Sequence, residues 1–276
     1  MYTDSHNHSG RFSPDAEMTI MELIDTAKER NIPRVGITDH YEMDYPHKDD
    51  PMVDAVYDLK TYSSTVDDWA DTSRSLGGPE ILKGIEFGWQ EHLTEVINSK
   101  SHEIVFDHVI LSNHLFRGQD VYFSEECYKI PLKERHKDYI GLMAKMAEDC
   151  VDYDIVAHFD YINRYNPNKD ETVRYEDCPA EFDRLFEAII AKEAALEINT
   201  SSIAAQMRKD SSYIMPDEAI IRRYIAMGGR FISLGSDSHK AETLGNLFSE
   251  TGEYLKALGI KEVTYFRKHI PCFEEL

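Results

Sequence analysis

The stretch TIMELIDTAKERNIPRVGITDH, Thr19 to His40, holds one full repeat of the architecture. Thr19 and Glu22 have the spacing of a capping box, in which each residue's side chain satisfies the other's backbone N–H. Ile20, Leu23, Ile24 and Ala27 then recur at helical intervals, which predicts an amphipathic helix ending near Asn31. Only Arg30-Asn31-Ile32-Pro33 separates that helix from Arg34-Val35-Gly36-Ile37-Thr38, a short run that reads as a strand. Beyond the strand stand Asp39 and His40, two residues able to bind a cation.

Outward from this stretch the same alternation continues in both directions. Strands are expected at Tyr2 to His6, Ile81 to Phe87, Val109 to Ser112, Ile155 to Ala157, Ala195 to Ile198 and Phe231 to Leu234. Helices fit between them at about Tyr57–Arg74, Arg135–Cys150, Ala180–Glu193 and Pro216–Met227, with a last one near Ser249–Leu258. Gln90 to Phe106 is read as a segment with a short helix. Seven strands alternating with helices indicate an α/β fold with a parallel sheet, either closed as a barrel or doubly wound. The connections favour the barrel. Segments entering strands are short, as at Gly228-Gly229, and segments leaving them are long: Tyr41 to Val56, Leu115 to Glu134, Asn163 to Pro179 and Thr200 to Met215. That asymmetry predicts chemistry at the C-terminal rim of the strands.

The rim residues bear this out as a pattern. Strand one ends in His6 and His8, whose i, i+2 spacing puts both imidazoles on one face, and Asp15 follows in the next loop. Strand two ends in His40, strand three in Glu86, strand four in His114, strand five in His158, and strand seven in Asp237 and His239. Any one of these has an ordinary alternative: a lone His is more often hydrogen-bonded than ligating, and Asp237 could cap a helix. Six of seven strand ends carrying His, Asp or Glu have no such explanation. Imidazole mixed with carboxylate suits Zn, Mn or Fe rather than an all-oxygen calcium site. Nine candidate ligands exceed the needs of one ion and predict a cluster of two or three. Asp39 is placed behind the cluster, orienting an imidazole. His108 shares strand parity with His114 but sits at the start of its strand, and is read as structural.

Composition narrows the function. A length of 276 residues, with 42% hydrophobic and 29% charged residues, suits one barrel-sized domain spanning 1–276. No apolar run approaches the roughly 18–20 residues that cross a bilayer, and Met1-Tyr2-Thr3-Asp4 lacks a signal-peptide layout. Four dispersed cysteines without a C-x-x-C pair read as reduced thiols. These features together predict a cytoplasmic protein without a membrane partner. The 51 acidic residues against 30 basic ones give a net charge of −21, which disfavours nucleic acid as a partner.

The ordered set D-S-H-N-H, T-D-H, G-I-E-F-G, S-N-H, A-H-F-D and G-S-D-S-H, from Asp4 to His239, resembles the PHP (polymerase and histidinol phosphatase) family. The E-I-N-T-S segment and Asn163-Arg164 look like its monofunctional histidinol-phosphate phosphatases. The resemblance implies a distorted TIM-like (β/α)7 barrel holding three divalent ions. By that analogy His6, His8, Glu86 and Asp237 hold the first ion, and Glu86, His114 and His158 the second, with Glu86 bridging. Asp15, His40 and His239 hold the third. The function it implies is hydrolysis of L-histidinol phosphate in histidine biosynthesis. The alternatives are a PHP phosphoesterase acting on another small phosphate or nucleotide fragment, and a non-catalytic metal-binding PHP module.

Phosphate-ester hydrolysis at such a cluster requires no Ser or Cys nucleophile, and no G-x-S-x-G or G-x-x-x-x-G-K-[ST] motif is present. A phosphomonoester dianion suits a planar guanidinium. Arg164 and Arg208, in the long loops after strands five and six, are the expected phosphate clamps, with Arg174 a weaker candidate. Asp160, two residues past His158, is expected to protonate the leaving group, meet a substrate amine or orient a ligand. Glu42 and Asp44 would also suit a cationic amine.

Overall fold

Parallel strands follow one another around the sheet in chain order: Arg34–Ile37, Glu80–Gly88, His108–Ser112, Ile155–Val156, Ala195–Asn199 and Ile232–Gly235. These come from a computed structural model that describes residues 2–276. His40–Tyr41 continues the line of Arg34–Ile37 and pairs with Glu86 and Phe87. The two outer strands, Arg34–Ile37 and Ile232–Gly235, are joined by the extended segment from Asp4 to His8. On one side Asp4 N–H donates to the Arg34 carbonyl and Gly36 N–H to the Asp4 carbonyl; on the other Ser5 N–H donates to Leu234 and Asp237 N–H to His6. The sheet is thereby closed into a barrel, as expected. This first segment is less regular than the strand anticipated at Tyr2 to His6, with isolated bridges at Asp4–Val35 and Asn7–Ser238. Its side chains take over part of the ladder. The Asp4 carboxylate accepts the N–H groups of Ser236 and Gly245, and Thr38 Oγ1 accepts Asn7 N–H.

Strand parity sorts the residues into two cores. Ile81, Ile85, Phe87, Val109, Leu111, Leu196 and Ile198 face outward and are buried against the helices by Leu23, Ile24, Tyr62, Val66, Met143, Phe186 and Ile220. Residues of the other parity, Ile110, Ile155, Ala157, Ala195 and Phe231, form a separate inner cluster with Phe266 from the C-terminal segment. His108 belongs to the inner parity. Its Nε2 lies 2.8 Å from the Ser5 carbonyl oxygen, and it occupies space that Gly36 and Gly84 leave free. Its structural reading holds.

The helix at Ile20–Glu29 carries the complete Thr19–Glu22 capping box. The helices Leu59–Ser75, Leu132–Asp149, Pro179–Ala191, Glu218–Ala226 and Phe248–Ala257 lie where the alternation of strands and helices puts them, and Gln90 to Phe106 contains a short helix, Thr94–Lys100. Among the described residues no helix is long and apolar enough to cross a membrane. Two elements depart from expectation. Thr200–Arg208 is a helix, not a loop, because the Asn199 side chain accepts the N–H groups of Ser201 and Ser202 and starts it immediately at the strand end. Glu262–Arg267 and Ile270–Glu275 form an antiparallel hairpin. Lys268 and His269, both at positive φ, make its two-residue turn without the glycine that normally signals one.

A Cβ at Gly84 would meet Thr38 Cγ2 at 2.5 Å and His108 Nε2 at 2.8 Å. Gly84→Ala is therefore expected to destabilise the barrel by about 1–3 kcal/mol, read as a lower urea midpoint at unchanged slope.

Candidate metal centre

All nine predicted ligands meet at the C-terminal rim of the barrel. Glu86, fully buried, is their centre. His6 Nε2 and His114 Nε2 each lie 3.3 Å from Glu86 Oε1, and His158 Nε2 lies 3.0 Å from the same oxygen. His40 Nδ1 lies 2.6 Å and His8 Nε2 3.7 Å from Oε2. Asp237 Oδ1 is 3.1 Å from His8 Nε2 and 3.7 Å from His6 Nε2. Asp15 sits furthest out, 3.0 Å from His239 Nε2 and 3.6 Å from His40 Nε2. The strands deliver these groups because adjacent parallel strands end in register, as where His40 pairs with Glu86 and Glu86 with Ile110. His158 and Asp237 both have positive φ, 22° and 52°. Such backbone is uncommon outside glycine and costs on the order of 1–3 kcal/mol per residue. Hydrogen bonds from His158 N–H to Glu197 Oε2 and from Asp237 N–H to the His6 carbonyl hold it in place.

A divalent metal fits these residues on two counts. The donor set is imidazole and carboxylate, and four overlapping triplets have donor atoms within 4.8 Å: His8, His40 and His239; His6, His8 and Glu86; His6, His158 and Asp237; His40, Glu86 and His114. Within this cluster His6 Nε2, His40 Nδ1 and Glu86 Oε2 are buried and have no hydrogen-bond partner among the described residues. His40 Nδ1 and Glu86 Oε2 are close but not aligned for a hydrogen bond. An unsatisfied buried polar atom costs about 1–3 kcal/mol, and three together in a ligand-rich spot are what a shared cation would satisfy.

Three carboxylates stand behind the cluster and orient it. Glu197 Oε1 accepts from His6 Nδ1 at 2.7 Å, and Glu42 Oε1 lies 2.5 Å from His114 Nδ1. Each is admitted by a glycine: a Cβ at Gly235 would lie 2.2 Å from Glu197 Oε1, and one at Gly88 1.9 Å from Glu42 Oε2. The third is Asp39. Expected to orient an imidazole, it reaches one through a hydroxyl: it accepts from Ser9 and Ser13, and Ser13 Oγ in turn lies 3.3 Å from His8 Nδ1. Sequence reading passed over Glu197 as a strand end without an imidazole and offered Glu42 only as one acidic residue that would suit a substrate amine. The available signal was each carboxylate's position at a strand exit beside a ligand strand.

Burial and charge set the protonation of the metal-free cluster. Burial would raise the carboxyl of Glu86, yet His6, His40 and His114 hold it well below the usual range. Burial likewise opposes the lowering of Asp237, which Arg164 and His6 produce. His114 moves the other way: burial lowers its pKa, but Glu42 and Glu86 outweigh that and push it up to about 10. His8 is lowered, first by burial and then by His40 and His239, and His158 is lowered mainly by burial. These two are neutral and ready to ligate.

A cavity of about 320 Å³ opens over the cluster, lined on the metal side by Asp15, His40, His114, Asp237 and His239. Arg164 also lines it. Its Nη1 donates to Asp237 Oδ2 at 2.7 Å, its Nη2 to Asn199 Oδ1 at 3.1 Å, and its guanidinium lies over the Tyr161 ring at 4.8 Å. Arg208 is not brought in. It ends the helix Thr200–Arg208 with an exposed side chain and does not line the cavity, because the helix that sequence reading took for a loop carries it away. Arg174 lies elsewhere too, over the Tyr213 ring. Asp160 does not line the cavity either. Its carboxyl lies beside Ser202 and Arg164, with its pKa raised chiefly by burial.

Residues 4–201 match the PHP domain family; Asp237 and His239 lie beyond that match and are joined to it by the geometry. The chain is 30% identical over 271 residues to the probable histidinol-phosphatase of Clostridium acetobutylicum, covering 98% of each chain. It is 25% identical over 268 residues to the histidinol-phosphatase of Lactococcus lactis subsp. lactis, covering 95% of this chain and 93% of that one. The fold superposes with a TM-score of 0.81 on a crystal structure of histidinol phosphate phosphatase from Lactococcus lactis subsp. lactis in complex with zinc, L-histidinol and phosphate. There the identity is 23% and the coverage 98% of each chain.

Because His114 carries a proton below about pH 10 in the metal-free cluster, ligation must displace it. Binding of Zn²⁺ or Mn²⁺ to metal-free protein is expected to release protons near neutral pH, and apparent affinity should rise with pH. Glu197→Gln and Glu42→Gln should each lower metal affinity by roughly 10- to 100-fold, measured by competition with a chelating dye.

Proposed function

The chain belongs to the PHP domain family and, within it, to the histidinol-phosphatases, and from that premise we propose that it hydrolyses L-histidinol phosphate to L-histidinol and phosphate. The observation that carries this reading is the meeting of nine imidazole and carboxylate groups under a cavity that also holds a buried arginine. The step belongs to histidine biosynthesis, and with all four cysteines as free thiols the protein suits the reducing cytoplasm. We read residues 1–276 as one catalytic domain.

Three divalent ions, of Zn, Mn or Fe, would be held by His6, His8, Glu86 and Asp237; by Glu86, His114 and His158; and by Asp15, His40 and His239. When bound, such ions supply Lewis acidity for transfer of the phosphoryl group to water. The chain's own residues do the rest. Glu86, with both oxygens ringed by imidazoles, would be shared by two of these sites. Glu197 and Glu42 fix the tautomers of His6 and His114 so that each Nε2 points inward. Arg164 sits on the cavity wall with its Nε–H unpaired among the described residues, and its planar cation is placed to hold phosphoryl oxygens. Asp237 fixes the guanidinium from behind, and Asp160 lies close enough to support it by charge. Asp160 is thus a positioning residue in this reading, not the leaving-group acid.

Phosphate release from L-histidinol phosphate should depend on added Mn²⁺ or Zn²⁺ and stop with chelator. A chain that turned over no phosphate ester under either condition would defeat the proposal. Arg164→Lys, assayed alongside its metal content, should lose on the order of 100-fold in kcat/KM. Arg208→Ala should stay within about twofold of wild type, as expected for an exposed residue remote from special structure.

A further inference from the structure

The cavity has a second pole opposite the metal centre. Asp120 lines it, yet the residue is only 6% exposed. Its carboxylate accepts from Tyr45 Oη at 2.8 Å, from Tyr161 Oη at 3.2 Å and from the Tyr122 N–H at 2.8 Å. All three donors are neutral. Among the described residues no Lys, Arg or His forms an ion pair with it. His47 meets the residue only at its backbone, where Nε2 accepts the Asp120 N–H at 3.2 Å.

The other carboxylates within reach are differently placed. Asp15 pairs with His239 and Asp237 with Arg164, while Asp50, which accepts only the neutral N–H of Met52, is half-buried and keeps contact with water, unlike Asp120. Glu42 and Asp44, which the sequence offered for a substrate amine, are taken by His114 and by His92 respectively. A buried carboxylate with neutral partners keeps most of its desolvation cost, and the remaining compensation is a cation. Tyrosine rings on the same wall, Tyr45, Tyr161 and Tyr165, add faces that attract one. Tyr161 also gives a scale. Its ring stands 5.1 Å from the rings of His114 and of His158, while its hydroxyl touches Asp120. One tyrosine therefore separates the imidazoles of the metal centre from the uncompensated charge.

We propose that Asp120 is the specificity-determining residue that binds the ammonium group of an amino-alcohol phosphate, with the phosphate at the metal centre and the amine on the carbon next to the ester carbon. This rests on the phosphatase reading above and deepens it. The exposed rings of Tyr122, Phe123 and Tyr165 at the mouth of the same cavity then cover the substrate's own side chain.

The test compares kcat/KM for L-histidinol phosphate with that for its des-amino analogue, 3-(imidazol-4-yl)propyl phosphate, on metal-loaded enzyme. Wild type should prefer the amine by roughly 10- to 100-fold, the worth of a charge-assisted hydrogen bond. In Asp120→Asn that ratio should collapse to near one. Tyr45→Phe removes a neutral donor and keeps the charge, so it should retain the preference; this separates loss of charge from disturbance of the wall. A preference that survives in Asp120→Asn, or a wild-type ratio near one, overturns the proposal while leaving the phosphatase reading intact. No wild-type turnover of either ester overturns both.

Discussion

A carboxylate with no exposed surface is the constraint on which the rest of the molecule depends. Removing an ionised group such as Glu86 from water costs several kcal/mol even after the protein relaxes, unless opposite charge and hydrogen bonds replace the lost hydration. Here five imidazoles approach its two oxygens within 3.7 Å, and Ser112 donates its hydroxyl to Oε1. No single strand or helix could present so many groups to one point. Successive parallel strands, each ending beside the last, can. The barrel is the scaffold that makes Glu86 tolerable, and closure through Asp4 to His8 brings the final two imidazoles within range.

Behind the imidazoles the same economy repeats with carboxylates and glycines. Gly235 and Gly88 leave the volume that the Glu197 and Glu42 side chains occupy, and any Cβ there would overlap them. These glycines serve neither a turn nor a positive φ. They exist so that a second layer of charge can approach the first and hold the rings of His6 and His114 to one orientation. Asp39 reaches the same end through Ser13, because its backbone position puts the hydroxyl, not the ring, within its reach. Its carboxyl is pushed up to about 6 by burial, against the Ser9 and Ser13 hydrogen bonds that pull it down.

The parts of the molecule legible in the sequence are those governed by local periodicity. Period-2 strands with polar residues at their exits pointed to the nine groups that meet at the rim, since a parallel barrel sends all its strand ends to one side. Helix positions followed from the same logic and from the Thr19–Glu22 box. What escaped depended on contacts distant in sequence. Glu197 meets His6 across 191 positions, and nothing local marks it as more than a strand residue. Arg208 was misplaced because an Asn-Thr-Ser-Ser start reads as a loop until Asn199 is seen to cap it. Asp120 gave no signal at all. It lies in a small hairpin, Leu115–Phe116 with Gln119–Asp120, whose strands are too short for alternation to register.

The charge of the whole chain and the charge of the cavity pose separate problems. A net −21 repels a phosphate dianion at long range, although salt limits that repulsion to about 8–10 Å. Within the cavity the lining residues Asp15, Asp50, Asp120 and Asp237 face a single arginine, Arg164. An anion enters such a site only if bound cations reverse the local sign. The ligand cluster supplies that reversal on one wall, where Asp15 and Asp237 lie among imidazoles. Asp120 stands apart, buried and without a cationic partner among the described residues, whereas Asp50 is half-buried and keeps contact with water. A site built this way is dipolar, with a positive end once loaded with metal and a fixed negative end a tyrosine's length away. It is complementary to a substrate that carries its own phosphate and ammonium, and it disfavours a plain phosphate ester through the cost of leaving Asp120 buried and unpaired.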